Sequence, residues 1–143
     1  MGVEQSGNVT PGHLAVWTTN GVIKDGGPVL SSQNVLASLL SADMDTIADQ
    51  AIQIPDSITA FSITGILVTN SNVSLTTAVG GFYPQTSKGG TAIVAASQVY
   101  SSLTAATKLL SCTLAGTVAS TRYDSSNVPD WAIYFSLTTA QDA

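Results

Sequence analysis

The sequence predicts a mainly β fold: an antiparallel, jelly-roll-like β-sandwich with an extended N-terminal arm and hairpin and one short helix. Three observations predict it. From residue 50 onward, short apolar stretches recur at roughly ten-residue spacing, separated by Gly, Asn and Ser turns. Before them, residues 1–27 carry Gly2, Gly7, Pro11, Gly12 and an Asn20-Gly21 pair, the signature of an extended arm closing in a tight hairpin. Between the two lies SSQNVLASLL, the best helical pattern in the chain.

The totals fit one domain plus an arm, divided here into residues 1–27 and 28–143. Hydrophobic residues make up 44% of the 143, enough for a core, but charged residues only 9% against roughly 25% in ordinary globular chains. Ser, Thr, Asn and Gln supply the polarity. A polar but weakly charged surface suits broad protein contacts, because burying Thr or Ser desolvates far less charge than burying Lys or Glu. The net charge is −5, and the four basic residues, Lys24, Lys88, Lys108 and Arg122, are scattered. That argues against nucleic acid, which needs clustered cations, and against an anionic membrane. No apolar run approaches the ~20 residues of a membrane span, and residues 1–7 lack the regions of a secretory signal. A myristoylation-like pattern at Gly2 to Ser6 lacks the polybasic partner that stable anchoring requires.

Taken in order, residues 1–12 read as extended. Leu14, Val16 and Thr18 alternate with Ala15, Trp17 and Thr19 as a short strand. Asn20-Gly21 turns it, Val22 to Lys24 return, and Asp25-Gly26-Gly27-Pro28 breaks the pattern. A lone two-stranded hairpin is marginal in water, so this one needs a partner surface. In the helix expected over residues 31–40, Ser31 or Ser32 caps the start, and Val35, Leu36, Leu39 and Leu40 form the apolar face. Asp43, Asp45 and Asp49 read as a solvated loop, since an EF-hand's central glycine and final glutamate are missing. Strands are expected at residues 50–55, ended by Pro55, and 59–69, the strongest of all. Within the second, Phe61 and Ile63 point one way, and Gly65 marks either a bulge or a strand covered on both faces. Further β segments are expected at 73–77, 91–95, 97–103 (through Val99, Ser101 and Leu103, with a helix as the alternative), 108–115 and 131–138.

No catalytic constellation is apparent, and no cofactor or metal is expected. The single histidine, His13, sits in the arm, where a nucleophile–base pair would lack rigid support. One His and one Cys cannot make a zinc site, and Cys112, in LLSCTLA, reads as a buried thiol. Asp124 and Asp130 lie in a Ser/Asn/Pro loop and read as exposed rather than as a glycosidase pair. Gly80-Gly81 and Gly89-Gly90 lack phosphate-loop spacing and read as turns. Phe82, Tyr83, Tyr100, Trp131, Tyr134 and Phe135 read as core aromatics with hydroxyls at the rim, a sugar-binding face being the alternative.

Two stretches carry a resemblance. QSGNVTPGHLAVWTTNGVIKDGG, from Gln5 to Gly27, resembles the QSGxVTPGHLxxWxTxGVIxDGG segment near the N-termini of tailed-bacteriophage fibre-type and other structural proteins. SLTTAVGGFYPQTSKGGTAIVAASQVYSSLT, beginning at Ser74, and YFSLTTAQ, from Tyr134, resemble a β domain of phage structural proteins. The resemblance implies a non-enzymatic virion protein, assembled in the bacterial cytoplasm. Its favoured role is a capsid decoration (cement) or head-fibre subunit bound to the major capsid protein or another virion protein, as a homotrimer. A short tail fibre, receptor-binding module or tail adaptor is the alternative. The expected attachment residues are Val9, Pro11, His13, Leu14, Val16, Trp17, Val22 and Ile23. In this family pattern another strand is expected beyond SLTTAQ, so either the sheet stays open there or a neighbouring subunit supplies the edge.

Overall fold

The chain divides into two units, Met1–Asn34 and Val35–Ala143, and nearly all the regular structure among their described residues is β-strand. The computed structural model describes residues 4–5, 13–17, 22–28 and 35–142.

The first unit holds β1 (Glu4–Gln5), β2 (His13–Trp17) and β3 (Val22–Pro28), in the order β1-β3-β2. β3 runs antiparallel to β2, with Trp17 opposite Ile23 and Val16 opposite Lys24, and parallel to β1. The Asn20-Gly21 turn lies outside the described residues. One expectation is corrected: Asp25 to Pro28 do not end the strand but continue β3. The register steps from Ala15↔Asp25 to His13↔Pro28, so β3 carries one residue more than β2 across Gly26-Gly27. A bulge at the glycines absorbs that residue, and Pro28 falls at the strand end, where a missing N–H is tolerated.

The second unit has two antiparallel sheets. β8 (Ala132–Thr139) lies between β4 (Gln50–Gln53) and β6 (Val79–Tyr83); β5 (Leu67–Thr69) pairs with β7 (Leu109–Ser111). β8 explains itself from its sequence, AIYFSLTT. Ile133, Phe135 and Leu137 alternate into the main core, with Phe135 against Phe82 (5.0 Å between ring centroids) and edge-on to Tyr100 (5.8 Å). The intervening Tyr134 and Ser136 are buried as well: the Tyr134 hydroxyl donates to Asp130 (3.1 Å), and Ser136 Oγ reaches the Ile47 carbonyl (3.5 Å). A strand covered on both faces reads as an unbroken apolar run. β6 packs equally close. A Cβ on Gly80 would meet the Leu137 backbone, and one on Gly81 the Val94 carbonyl, so these glycines permit backbone approach rather than forming the turn expected of them.

Residues of both sheets meet in one buried cluster: Ile133, Phe135 and Leu137 from one, and Val68 and Leu110 from the other packed on Cys112 and its neighbours. Several apolar runs reach that cluster without becoming strands. Residues 73–77, 91–95 and 97–103 were expected as β segments but contribute single anchors, Leu75, Ile93, Val94, Tyr100 and Leu103. Individual bonds hold them: Leu75 N–H to the Leu103 carbonyl (3.0 Å), Ile93 N–H to Phe82 (2.8 Å) and Ala115 N–H to Ile93 (2.8 Å). At 97–103 the inward residues are Tyr100 and Leu103, joined by a Leu103 N–H to Tyr100 carbonyl turn bond (2.9 Å), while Val99 is exposed.

Two further expectations are corrected. The helix over 31–40 is not formed where that segment is described: residues 35–39 have no regular structure. Leu36 and Leu39 pack on the core, but Val35 and Leu40 are 85% and 84% exposed. A three-turn helix is held by packing rather than propensity, and half of this face finds none. Among the described residues the one helical turn is a 3-10 turn at Val118–Ser120. The long strand at 59–69 is instead a bridge from Phe61 to Tyr123 followed by the three residues of β5. Phe61 and Ile63 do point inward. Past Gly65 the phase flips, with Ile66 and Val68 inward and Leu67 and Thr69 outward, so the apolar run is not a strand covered on both faces.

Candidate functional site

The expected attachment residues divide by position. Val9 and Pro11 lie outside the described residues. His13, Leu14, Val16 and Trp17 stand on β2, and Val22 and Ile23 on β3. The β2–β3 register brings Trp17 level with Ile23, and the parallel pairing with β1 sets Glu4 beside Val22 and Gln5 beside Ile23. The backbone thus gathers six of the eight onto two adjacent strands of one small sheet.

In the second unit the groups that chemistry could use are tied into the fold. The Asp124 carboxylate caps its own loop: it accepts the Ser126 hydroxyl and the Ser126 N–H (3.0 Å) and faces Arg122 Nη1 at 3.4 Å. The Ser126 bonds, with Arg122 adding to them, hold its carboxyl below the ordinary range. A glycosidic acid needs the opposite shift. Asp130 accepts the Tyr134 hydroxyl, and burial together with that bond raises the Tyr134 phenol. Asp49 accepts the Ser87 N–H, and Asp43 accepts the Asp45 N–H (2.9 Å). Among the described residues no three His, Cys, Asp or Glu side chains converge as a metal site. Cys112 is buried beside Tyr100, and burial pushes its thiol up to about 11, away from the thiolate that reactivity requires.

The aromatic groups are core. Tyr100 is fully buried and donates to the Gly80 carbonyl at 3.2 Å, so its hydroxyl is not at the rim. Phe82, Tyr83, Tyr134 and Phe135 are buried too. Trp131 and Phe61 keep partial exposure. Phe61 lies between Tyr123 (5.5 Å, stacked) and Trp131 (5.7 Å, edge-on), and Trp131 Nε1–H donates to the Pro55 carbonyl at 3.3 Å. Trp131 holds this position at φ 52°, a left-handed conformation uncommon for a bulky residue. A shallow groove lined by Ser97, Gln98, Val99, Thr113 and Leu114 has its polar centre already spent: Gln98 Oε1 accepts the Thr113 N–H (3.1 Å), and its amide donates to the Val99 carbonyl (2.8 Å).

The feature that sequence reasoning missed is the outer side of β5–β7. Leu67 and Leu109 fall within the β segments expected at 59–69 and 108–115, and they are 62% and 58% exposed. The available signal was charge: residues 57–123 contain no Asp or Glu.

No protein-family model, curated protein or solved structure matches this chain.

Proposed function

We propose that the chain is a non-enzymatic structural subunit of a bacteriophage virion, a capsid decoration or head-fibre protein bound to the shell through its N-terminal unit. The observation that carries this reading is the Gln5 to Gly27 segment. It resembles phage structural proteins, and its described residues pair as strands in a unit separate from the β body. Main-chain pairing to a shell protein would give affinity without a cluster of lysines and arginines, of which this chain has only four, scattered. The two sheets around one core are taken as a sandwich of jelly-roll type, and the oligomer as a trimer at three-fold positions of the shell.

The test is deletion of residues 1–27. The truncated chain is expected to unfold cooperatively like the intact protein and to lose binding to particles that lack it. Normal occupancy by the truncated chain would refute attachment through the arm. The alternative, a receptor-binding or tail-fibre module, draws on the partial exposure of Trp131 and Phe61, a surface on which a sugar ring could stack. Copy number separates the two: hundreds on the shell for decoration, a handful at the tail for a fibre.

A further inference from the structure

We propose that residues 35–49 are a releasable strap, which lifts from the β body as one piece while the strands it covers stay folded. The segment has no regular secondary structure, and none of its residues is buried. Leu36, Ala37, Leu39 and Met44 pack on the core only in part, and Val35, Leu40 and Ile47 face solvent. Yet the strap crosses residues that are buried. Ser136 is fully covered, with its Oγ turned to the Ile47 carbonyl, and Tyr134 on the same face of β8 is buried as well. Past Gln50, three bonds tie the strap to the body. The Gln141 N–H donates to the Met44 carbonyl at 2.6 Å, the Ser136 hydroxyl to the Ile47 carbonyl at 3.5 Å, and the Ser87 N–H to the Asp49 carboxylate. The strap is the acceptor in each. Among the described residues, no backbone N–H of 35–49 donates to the body beyond Gln50.

The strands do not depend on the strap. β4 pairs with β8 from Gln50↔Phe135 to Gln53↔Ala132, and β6 pairs along the other side of β8, so the ladder closes without a strap residue. Ile133, Phe135 and Leu137 pack on the opposite face. Lifting the strap breaks three bonds and gives up partial apolar contacts, whereas unfolding the body breaks the sheet and bares the core. Segments with few buried apolar contacts and no ladder open at free energies below that of the whole domain. Local bonds make the release concerted. The Gln50 side chain clasps Asp43 both ways, donating to its carbonyl and accepting its N–H, each at 2.7 Å. Inside that clasp the Asp43 carboxylate accepts the Asp45 N–H and the Thr46 hydroxyl accepts the Ala48 N–H. The loop therefore keeps its shape and swings at Gln50 instead of peeling residue by residue. The same stretch joins the first unit to β4, so each opening frees chain between the two and bares the Tyr134 and Ser136 side of β8. This inference goes beyond the virion reading and does not depend on it.

The experiment is thiol labelling of the full chain carrying Ser136→Cys, with an aromatic disulfide reagent and peptide mapping of the two sites. The native Cys112, buried in the core, is the internal reference for whole-domain unfolding. With each rate divided by that of the denatured chain, the thiol at 136 is expected to react at least about tenfold faster than Cys112. Its rate should also depend only weakly on denaturant, because strap opening exposes little surface. Asp49→Ala, which removes the Ser87 tie, should speed labelling at 136 about threefold or more. Asp49→Asn keeps an acceptor oxygen and should stay near the parent rate. Equal rates and equal denaturant dependence at the two thiols would overturn the proposal, as would labelling at 136 that ignores Asp49→Ala. Should Ser136→Cys fail to fold, hydrogen exchange of the intact protein replaces it. The Ser87 and Gln141 amides, bonded to two different points of the strap, are expected to share one opening free energy. That value should lie well below the one for the Phe82 and Ile93 amides, which are bonded within the body. Unequal values for Ser87 and Gln141, or values equal to those of Phe82 and Ile93, would overturn the proposal.

Discussion

β8 and the β5–β7 ribbon are written in the same alphabet, AIYFSLTT against LVT and LLS, and meet opposite fates. β8 has a strand on each side and cover on each face. Every side chain from Ala132 to Leu137 is buried. The ribbon has one covered face, no strand beyond either edge among the described residues, and leucines left in water. The difference lies in what the rest of the chain lays over each. Residues 44–49 cross beneath β8, tied by the Gln141 N–H to the Met44 carbonyl and by Ser136 to Ile47. Nothing described crosses the outer side of β5–β7. Apolar content measures what a strand can bury, and coverage decides what it does bury.

Substitutions at matched leucines should break or sharpen this contrast. Leu137→Ala is expected to cost about 3–5 kcal/mol in denaturant unfolding, as a fully buried leucine leaves a cavity where neighbours cannot collapse. A loss below about 1 kcal/mol would mean that β8 is not packed on both faces. Gly81→Ala comes next, at about 2–3 kcal/mol, because the new methyl must displace the Val94 and Ala95 carbonyls rather than a movable side chain. Tyr100→Phe should cost about 1 kcal/mol by leaving the buried Gly80 carbonyl without its donor.

The alkaline limb of stability tests the same core. Burial raises Cys112 from 9.0 to about 11 and raises Tyr100 further still. Between those values the unfolded chain has released the thiol proton and the folded chain has kept it. The contribution is therefore complete below pH 9 and is lost as pH rises toward 11, with a slope near 1.4 kcal/mol per pH unit for each proton. Cys112→Ala should flatten that limb; an unchanged slope would place the thiol in water. The smallest effect belongs to Leu67→Ala, expected to change monomer stability by less than about 0.5 kcal/mol. A core-sized loss there would show that the ribbon face is covered within the monomer.

The sequence pattern made the β class legible, together with the strands at Gln50–Gln53 and Ala132–Thr139, the inward Phe61 and Ile63 and the buried Cys112. These follow from period-two alternation or from unbroken apolar runs, which are local properties. The attachment residues came instead from the resemblance carried by Gln5 to Gly27, and six of them stand on β2 and β3. Where the reading failed, the deciding term was not local. Leu36 and Leu39 repeat as a helix would, but the core takes these two and leaves Val35 and Leu40 bare, so no helix is held. Gly80-Gly81 carries a turn's composition and instead lets two backbones touch. Val99 and Tyr100 alternate as in a strand, yet a turn bond sends Tyr100 and Leu103 inward together.

By itself the sequence determined a β-rich chain, a separate N-terminal segment, and a surface with little charge and a wholly carboxylate-free middle. Those are matters of composition and short-range period, which any fold of this chain must keep. Tertiary structure alone decided which apolar strands are sheltered, which glycines carry close contacts and where leucines remain exposed. Burial belongs to pairs of segments distant along the chain, as when Met44 meets Gln141 or Ile47 meets Ser136, and no local window contains both partners.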